Sequence, residues 1–267
     1  MKKLIFFFAA TILSLTSCSK DDDNENDDSN GGGTKLPKSV ITTTEPGGSI
    51  SSTDYTYDGT KISTASTSNT NKAVYSYNSE NILSRIENKY NDKTEVYTDY
   101  TFENGDIKST TTYSVNADKV ATKTSSAAYT YDAASKTQTV IVTDYPGGTP
   151  KVSNTTTVNT YDDNNLVKTV VTTIYDDKND IVTTTEYTYD SKTNYFINVT
   201  GYPATIVKGK NNPTTVNTKV VYREDNDSST PTTTQVTYEY IYDGSFPTNI
   251  KNYAGGTLTN TIKVFYN

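Results

Sequence analysis

Tyr187-Thr188-Tyr189-Asp190 is the clearest copy of a phrase that returns along the chain, each time ahead of a polar turn and a threonine-rich, β-branched run. Further copies read Tyr55-Thr56-Tyr57-Asp58, Tyr75-Ser76-Tyr77-Asn78, Tyr100-Thr101-Phe102-Glu103, Tyr129-Thr130-Tyr131-Asp132, Asn159-Thr160-Tyr161-Asp162 and Tyr240-Ile241-Tyr242-Asp243. A degraded copy stands at Val220-Val221-Tyr222-Arg223 and a truncated one at Val264-Phe265-Tyr266-Asn267. Steps between second aromatics range from 20 to 33 residues, an irregular period of the kind that arrays with variable loops display.

Period two puts Tyr187 and Tyr189 on one face of a strand and Thr188 and Asp190 on the other. Asp190 then opens a turn, because Asp and Asn cap the backbone two residues on. Asp58-Gly59, Asn104-Gly105, Asp163-Asn164-Asn165 and Asp243-Gly244 sit where hairpins need them. After the turns Ile62, Ile82, Ile107, Leu166, Phe196 and Ile250 reopen strands, and return turns follow at Pro46-Gly47-Gly48-Ser49, Pro146-Gly147-Gly148-Thr149 and Ala254-Gly255-Gly256-Thr257. Pro203 and Pro213 mark loops between. Roughly eight two-strand units give on the order of sixteen strands, and open sheets beyond about ten curl or split. The expected fold is all-β: a long antiparallel meander of repeated hairpins, curled as a single sheet into an open barrel or spiral. A two-layer sandwich is the alternative. Curling encloses the tyrosines, places threonines, lysines and carboxylates outside, and leaves two edge strands near Val40 and Val264.

Composition agrees with this architecture. The 267 residues hold 51 threonines and 23 tyrosines but no tryptophan or histidine, and Thr, Tyr, Val and Ile fit a pleated surface. Only 33% of residues are apolar, so tyrosine rings must supply much of the buried area while their hydroxyls keep water or a hydrogen-bond partner. Net charge is −7, and removal of Lys2 and Lys3 with a leader leaves 22 basic against 31 acidic residues. Such a surface repels phosphate backbones, so nucleic acid is not an expected partner.

Lys2-Lys3 followed by the apolar run Leu4 to Leu15 reads as a secretory signal peptide over residues 1–17, a run of twelve residues being too short to span a bilayer. Leu15-Thr16-Ser17-Cys18 resembles the bacterial lipobox, which implies that Cys18, the chain's single cysteine, is lipidated after cleavage. Two or more acyl chains give stable anchoring, at about 0.8 kcal/mol per buried methylene. Residues 18–33 form an acidic and Gly-rich tether that can bury nothing, and 34–267 form a single repeat-built β domain. The start Cys18-Ser19-Lys20-Asp21-Asp22 resembles the export signal of Bacteroidetes lipoproteins, which implies the outer face of the outer membrane.

The phrases themselves resemble the Rhs or tyrosine-aspartate (YD) repeat family over nearly all of Tyr55 to Asp243. Tyr55 to Ile62, Tyr129 to Asp132 and Tyr187 to Asp190 match best, although the glycine and the arginine of the family pattern are mostly missing. That resemblance implies a spiralled β shell.

Chemistry has little to work with. Without histidine there is no Ser-His or Cys-His pair and no imidazole ligand, and Asp132, Asp162 and Asp190 stand at turns where capping accounts for them. The expectation is a protein that is not an enzyme, with no cofactor and no metal, held to the membrane by its lipid. Two roles remain open: a structural or protein-interaction scaffold with packed tyrosines, or a module whose tyrosine rows bind an extracellular glycan or polymer. Tyr238, Tyr240 and Tyr242, three rings on one face over five residues, are the candidate ligand-facing positions.

Overall fold

The computed structural model describes residues 34–103, 106–162, 165–175, 179–201, 209–224, 227–228 and 230–267. Residues 1–33, which carry Leu15, Thr16, Ser17, Cys18, Ser19, Lys20, Asp21 and Asp22, lie outside them, as do Asn104-Gly105, Asp163-Asn164 and Pro203. No α-helix occurs among the described residues.

In chain order the strands are β1 (Pro37–Thr44), β2 (Ile50–Asp58), β3 (Lys61–Ser66), β4 (Asn71–Tyr77), β5 (Leu83–Tyr90), β6 (Lys93–Glu103), β7 (Asp106–Val115), β8 (Ala121–Asp132) and β9 (Thr137–Asp144). They continue with β10 (Lys151–Asp162), β11 (Asn165–Ile174), β12 (Asp180–Thr193), β13 (Asn211–Glu224), the two-residue β14 (Asp227–Ser228), β15 (Thr232–Asp243), β16 (Phe246–Ala254) and β17 (Thr257–Tyr266). Each long strand pairs antiparallel with its neighbours in sequence, β13 pairing directly with β15 while β14 hangs beside β13. The last strand returns to the first, with Val40 opposite Val264.

The sheet is therefore a closed barrel of sixteen strands, and neither the open barrel or spiral nor the two-layer sandwich expected above is what forms. The two strands near Val40 and Val264, expected as free edges, are each other's partners. Closure satisfies the ladder groups that an edge would leave unpaired, which a chain with so few apolar residues could not otherwise shield.

Curvature is built into the phrases. The second aromatic faces a residue at or near the start of the next strand at six phrases: Tyr57 with Ile62, Tyr77 with Leu83, Phe102 with Ile107, Tyr161 with Leu166, Tyr189 with Pro213, and Tyr242 with Pro247. In each, the register slips by one residue just before that pair. Such a bulge inserts one unpaired residue, bends the strand and raises its right-handed twist. Ile62, Leu83, Ile107 and Leu166 are nearly inaccessible, so they form a buried belt at the phrase end of the barrel.

Several local expectations change accordingly. Leu83 rather than Ile82 takes the belt position in its hairpin. Pro247 faces Tyr242, and Ile250 is buried one inward position further along β16. Pro213 lies inside β13, at a bulge, instead of in a loop. Asp190 does not end its strand: β12 runs on to Thr193, while Asp190 Oδ1 accepts the Lys192 N–H. The expected capping bond two residues on thus forms at Asp190 as it does elsewhere, Asn78 Oδ1 accepting from Glu80 and Ile82 N–H and Asp132 Oδ1 from Ala134 N–H.

Tyrosine hydroxyls bond backbone carbonyls beside the bulges. Tyr57 donates to Pro37 O (2.6 Å), Tyr77 to Ile62 O (2.7 Å), Tyr189 to Leu166 O (2.6 Å), Tyr240 to Pro213 O (2.6 Å) and Tyr266 to Pro247 O (2.7 Å). Each bond ties a strand to the one before it, close to the barrel rim. Urea unfolding should separate the two contributions. Ile62→Ala is expected to cost about 2–5 kcal/mol as a core truncation, and Tyr189→Phe about 0.5–1.5 kcal/mol as a lost hydrogen bond.

Candidate functional site

Period two, read from the buried tyrosines, sorts the side chains of the wall. Val40, Tyr55, Tyr75, Tyr100, Tyr129, Val140, Thr157, Val171, Thr185, Tyr187, Val216, Val236, Tyr238 and Ile262 share the inner face by their cross-strand pairing. Arg85, Glu87, Asp99, Lys168, Glu186, Lys219, Glu239, Lys251 and Lys263 share the outer one. Threonine occupies both faces, so the expectation that threonines lie outside is half right. Inner pairs such as Thr98–Thr112 and Thr155–Thr173 bond across strands at 3.0 Å, and so does the outer pair Thr56–Thr64 at 2.7 Å.

Sixteen strands enclose a wider space than their own side chains fill. Most inner residues at mid-height, among them Val140, Thr157, Val171, Thr185, Val216, Val236 and Ile262, remain partly accessible. The interior is a lumen rather than a packed core.

One end of that lumen is blocked. Between β12 and β13 the chain leaves the wall, and its described part, Asn194 to Gly201, crosses to the far side of the barrel. Thr200 N–H donates to Thr60 O, Leu83 N–H to Gly201 O, and Asn198 Nδ2 to Lys35 O, each at 3.0 Å. Phe196 and Val199 bury with Leu36 and Ile62 beneath Tyr55, Tyr57, Tyr75 and Tyr195. The Tyr55 ring meets Phe196 edge-on at 5.4 Å. Phe196 was expected to reopen a strand; it is instead the anchor of a plug. The longest step in the repeat, 33 residues between Tyr189 and Tyr222, is the trace this segment leaves in the sequence. No described segment crosses the opposite mouth.

Burial under the plug changes the phenols. It pushes the Tyr195 pKa up to about 12. Burial, and then the neighbouring Tyr195 and Tyr75, hold Tyr55 well above its ordinary value, and burial and then Tyr242 do the same for Tyr240.

Tyr238, Tyr240 and Tyr242 all face inward, with centroids 6.4 Å and 5.7 Å apart along the row. Tyr240 and Tyr242 belong to the packed end. The Tyr240 hydroxyl is committed to Pro213 O, and that of Tyr242 to the Asp190 carboxylate, with Asn212 Nδ2 donating to the same phenol. Tyr238 stands a step further into the lumen, opposite Asn252.

Two polar positions on the inner face were not singled out by sequence. Gln138 faces Tyr131 in the one phrase hairpin without a bulge, where its counterparts are Ile, Leu or Pro. It is 1% exposed, and neither its amide nitrogen nor its oxygen has a partner. Asn252 Oδ1 is likewise buried and unpaired. Only the misfit of Gln138 within the aliphatic series could have flagged it from sequence.

Outside, aromatic rings form a short ladder instead of an open platform. Tyr97 stacks on Tyr113 at 4.8 Å and carries the Arg85 guanidinium at 4.1 Å from its centroid, while Arg85 makes a two-pronged bond to Asp99 (2.6 and 3.0 Å). Their faces are used against each other. Beside them lies a surface cleft of about 930 Å³ lined by Glu87, Asp92, Glu95 and Asn116, among others. No group of three His, Cys, Asp or Glu side chains poised for a metal occurs among the described residues.

No protein-family model matches this chain, and no curated protein matches it. Solved structures do. A porin-like protein from Bacteroides vulgatus superposes with a TM-score of 0.59 at 13% identity, over 87% of this chain and 99% of that one. A porin-like protein from Bacteroides uniformis covers 86% of this chain at 13% identity, with a TM-score of 0.27. A Bacteroides fragilis protein of unknown function covers 53% at 11%, with a TM-score of 0.32. The first likeness establishes a shared closed-barrel fold and nothing of activity.

Two measurements follow from the plugged end. In the folded protein the plug-side phenols keep their protons above the ordinary value of 10.0, so between that value and their raised pKa the native state binds more protons than the unfolded one. Stability should be level below about pH 10 and fall as pH climbs from there towards 12, with ultraviolet titration showing late-ionising tyrosines. Gly201 has φ +67°, and a Cβ there would lie 2.8 Å from Tyr77 Cε1 and 2.9 Å from Asn81 O. Gly201→Ala should lower the thermal midpoint, the left-handed backbone alone costing roughly 1–2 kcal/mol.

Proposed function

We propose that the protein is a non-enzymatic lipoprotein of the outer membrane, anchored through Cys18, whose barrel stands above the bilayer on the cell's outer face as an interaction module. The observation that carries this reading is the charge on the outer face. A membrane-spanning barrel turns an apolar band about 25 Å tall outward and its polar residues inward, and each Lys or Arg on its lipid face at mid-membrane costs about 2–4 kcal/mol. Here Arg85, Lys168, Lys219 and Lys251 point outward from the strands together with Glu87, Asp99, Glu186 and Glu239. Outward apolar residues such as Ile141, Ile241 and Phe265 are scattered singly among them.

The entry of the chain gives the barrel an orientation. Leu36 packs under Phe196, Asn267 N–H donates to Leu36 O at 3.0 Å, and Lys35 Nζ bonds Asp243 at 2.6 Å. Lys35, Leu36 and Asn267 thus all lie at the plugged end. A tether of residues 18–33, up to about 55 Å long if fully extended, would join the lipid anchor to that end, so the plugged end is the one we place nearer the membrane. The acidic tether and the export-like Ser19-Lys20-Asp21-Asp22 support the surface side of this placement.

Cell fractionation tests the reading. Wild-type protein is expected in the outer-membrane fraction and Cys18→Ala in the soluble one. A variant that stays in the membrane fraction and resists alkaline extraction would overturn both the anchor and the placement of the barrel outside the bilayer.

A further inference from the structure

We infer that the lumen is a binding site for a neutral oligosaccharide, seated against Tyr238 and Asn252 on one wall with Gln138 supplying a second polar contact. This goes beyond anchoring and display, and it stands on the inner face alone.

The chemistry of that face selects the ligand class. In the described strands the lysines, arginines and glutamates lie on the outer face or at the rims, which leaves the lumen lined by Thr, Val, Asn and Tyr. An ionic ligand would find no lysine, arginine or glutamate on the inner face away from the rims, so nothing there would select its charge. A purely hydrocarbon ligand would leave the inward threonine hydroxyls and the amides without partners, which costs about 1–3 kcal/mol for each buried group so stranded. A sugar chain has what both surfaces need. Its C–H faces lie against an aromatic ring, and its hydroxyls both donate and accept.

The unpaired amides point the same way. Gln138 is buried to 1%, faces the interior by its pairing with Tyr131 and Asn159, and offers a donor and an acceptor that no protein atom meets. Every bulged hairpin whose belt position is known places an apolar residue there. Stability alone would favour an aliphatic side chain at 138. Asn252 Oδ1 is unpaired beside Tyr238, and Tyr187 sits close enough for its phenol to feel that of Tyr238. A half-buried ring next to an unmet carbonyl oxygen, in a space wider than its lining fills, is a ring-stacking and hydroxyl-reading subsite in small.

Calorimetry on the purified full-length protein in mild detergent tests this, with hexasaccharides of glucose, xylose and mannose as neutral probes, oligogalacturonate as an acidic one and palmitate as an apolar one. At least one neutral hexasaccharide is expected to bind. Tyr238→Leu and Asn252→Leu should each weaken it about tenfold or more, with a far-ultraviolet spectrum unchanged. Gln138→Leu should weaken binding while raising the unfolding midpoint, a pairing that a purely structural glutamine would not give. Binding of only the acidic or apolar probe, or of none, would overturn the inference. So would neutral binding that survives all three lumen variants and disappears in Tyr97→Ala, because the site would then lie on the outer ladder. None of these outcomes bears on fractionation of Cys18→Ala, so the two readings fail separately.

Discussion

The ladder between β1 and β17 is the constraint on which everything else depends. It pairs residues more than two hundred positions apart, from Pro37 with Tyr266 to Thr44 with Asn260, whereas nearly every other strand contact lies between neighbours in the chain. A loop of that length is costly to close, although the cost grows only logarithmically. What closure returns is the removal of two long edges that would otherwise offer unpaired backbone to other chains. It also defines an inside. Only once the last strand meets the first does the alternation within each hairpin become a distinction between lumen and exterior.

The recurrence of tyrosine, where phenylalanine would bury as well, has a cause in backbone geometry. A bulge raises the twist that closure needs and in doing so frees a carbonyl from the ladder. Five tyrosine hydroxyls bond carbonyls beside such bulges on the strand before their own, at 2.6–2.7 Å, a bond that phenylalanine could not make. The Phe102 hairpin keeps the bulge and gives up the hydroxyl. The Tyr131 hairpin has no bulge, and the residue it faces is the unpaired Gln138. The departures from the repeat are thus informative where the repeat itself is structural.

Much of this was legible in the residues and some was not, for physical reasons. Alternation in Tyr55-Thr56-Tyr57-Asp58 and glycines such as Gly59 and Gly244, both at φ +62°, give strands and turns because they act locally. The belt was misplaced by one residue at Ile82, since a bulge shifts the face of everything after it and leaves no residue signature. Pro213 read as a loop because proline lacks a donor, yet a bulged position asks for none. Closure was illegible: whether sixteen strands meet depends on twist summed over all of them, which no single hairpin records. Phe196 looked like the start of a strand because an apolar residue after a polar turn is the same signal whether the chain pairs or crosses the mouth. Tyr238, Tyr240 and Tyr242 were rightly placed on one face, but only the plug and Asp190 divide the two packed rings from the one that borders the lumen.

Threonine explains how so polar a chain sustains a hollow barrel. Its branched carbon suits a strand and its hydroxyl suits water, so it can line a wet interior as readily as it covers the exterior, and cross-strand hydroxyl pairs form on both faces. Apolar burial is then concentrated in the belt and where Leu36, Ile62, Phe196 and Val199 meet the tyrosines, with a second cluster at Tyr161 and Leu166. That concentration makes the barrel asymmetric along its axis. The plugged end holds the packed phrase rings together with Leu36 and Asn267, and so it is the end that fixes the structure. Gln138 is the exception within the belt itself, a buried polar residue at a position that the other phrases fill with Ile, Leu or Pro, and it is kept there at a cost to stability.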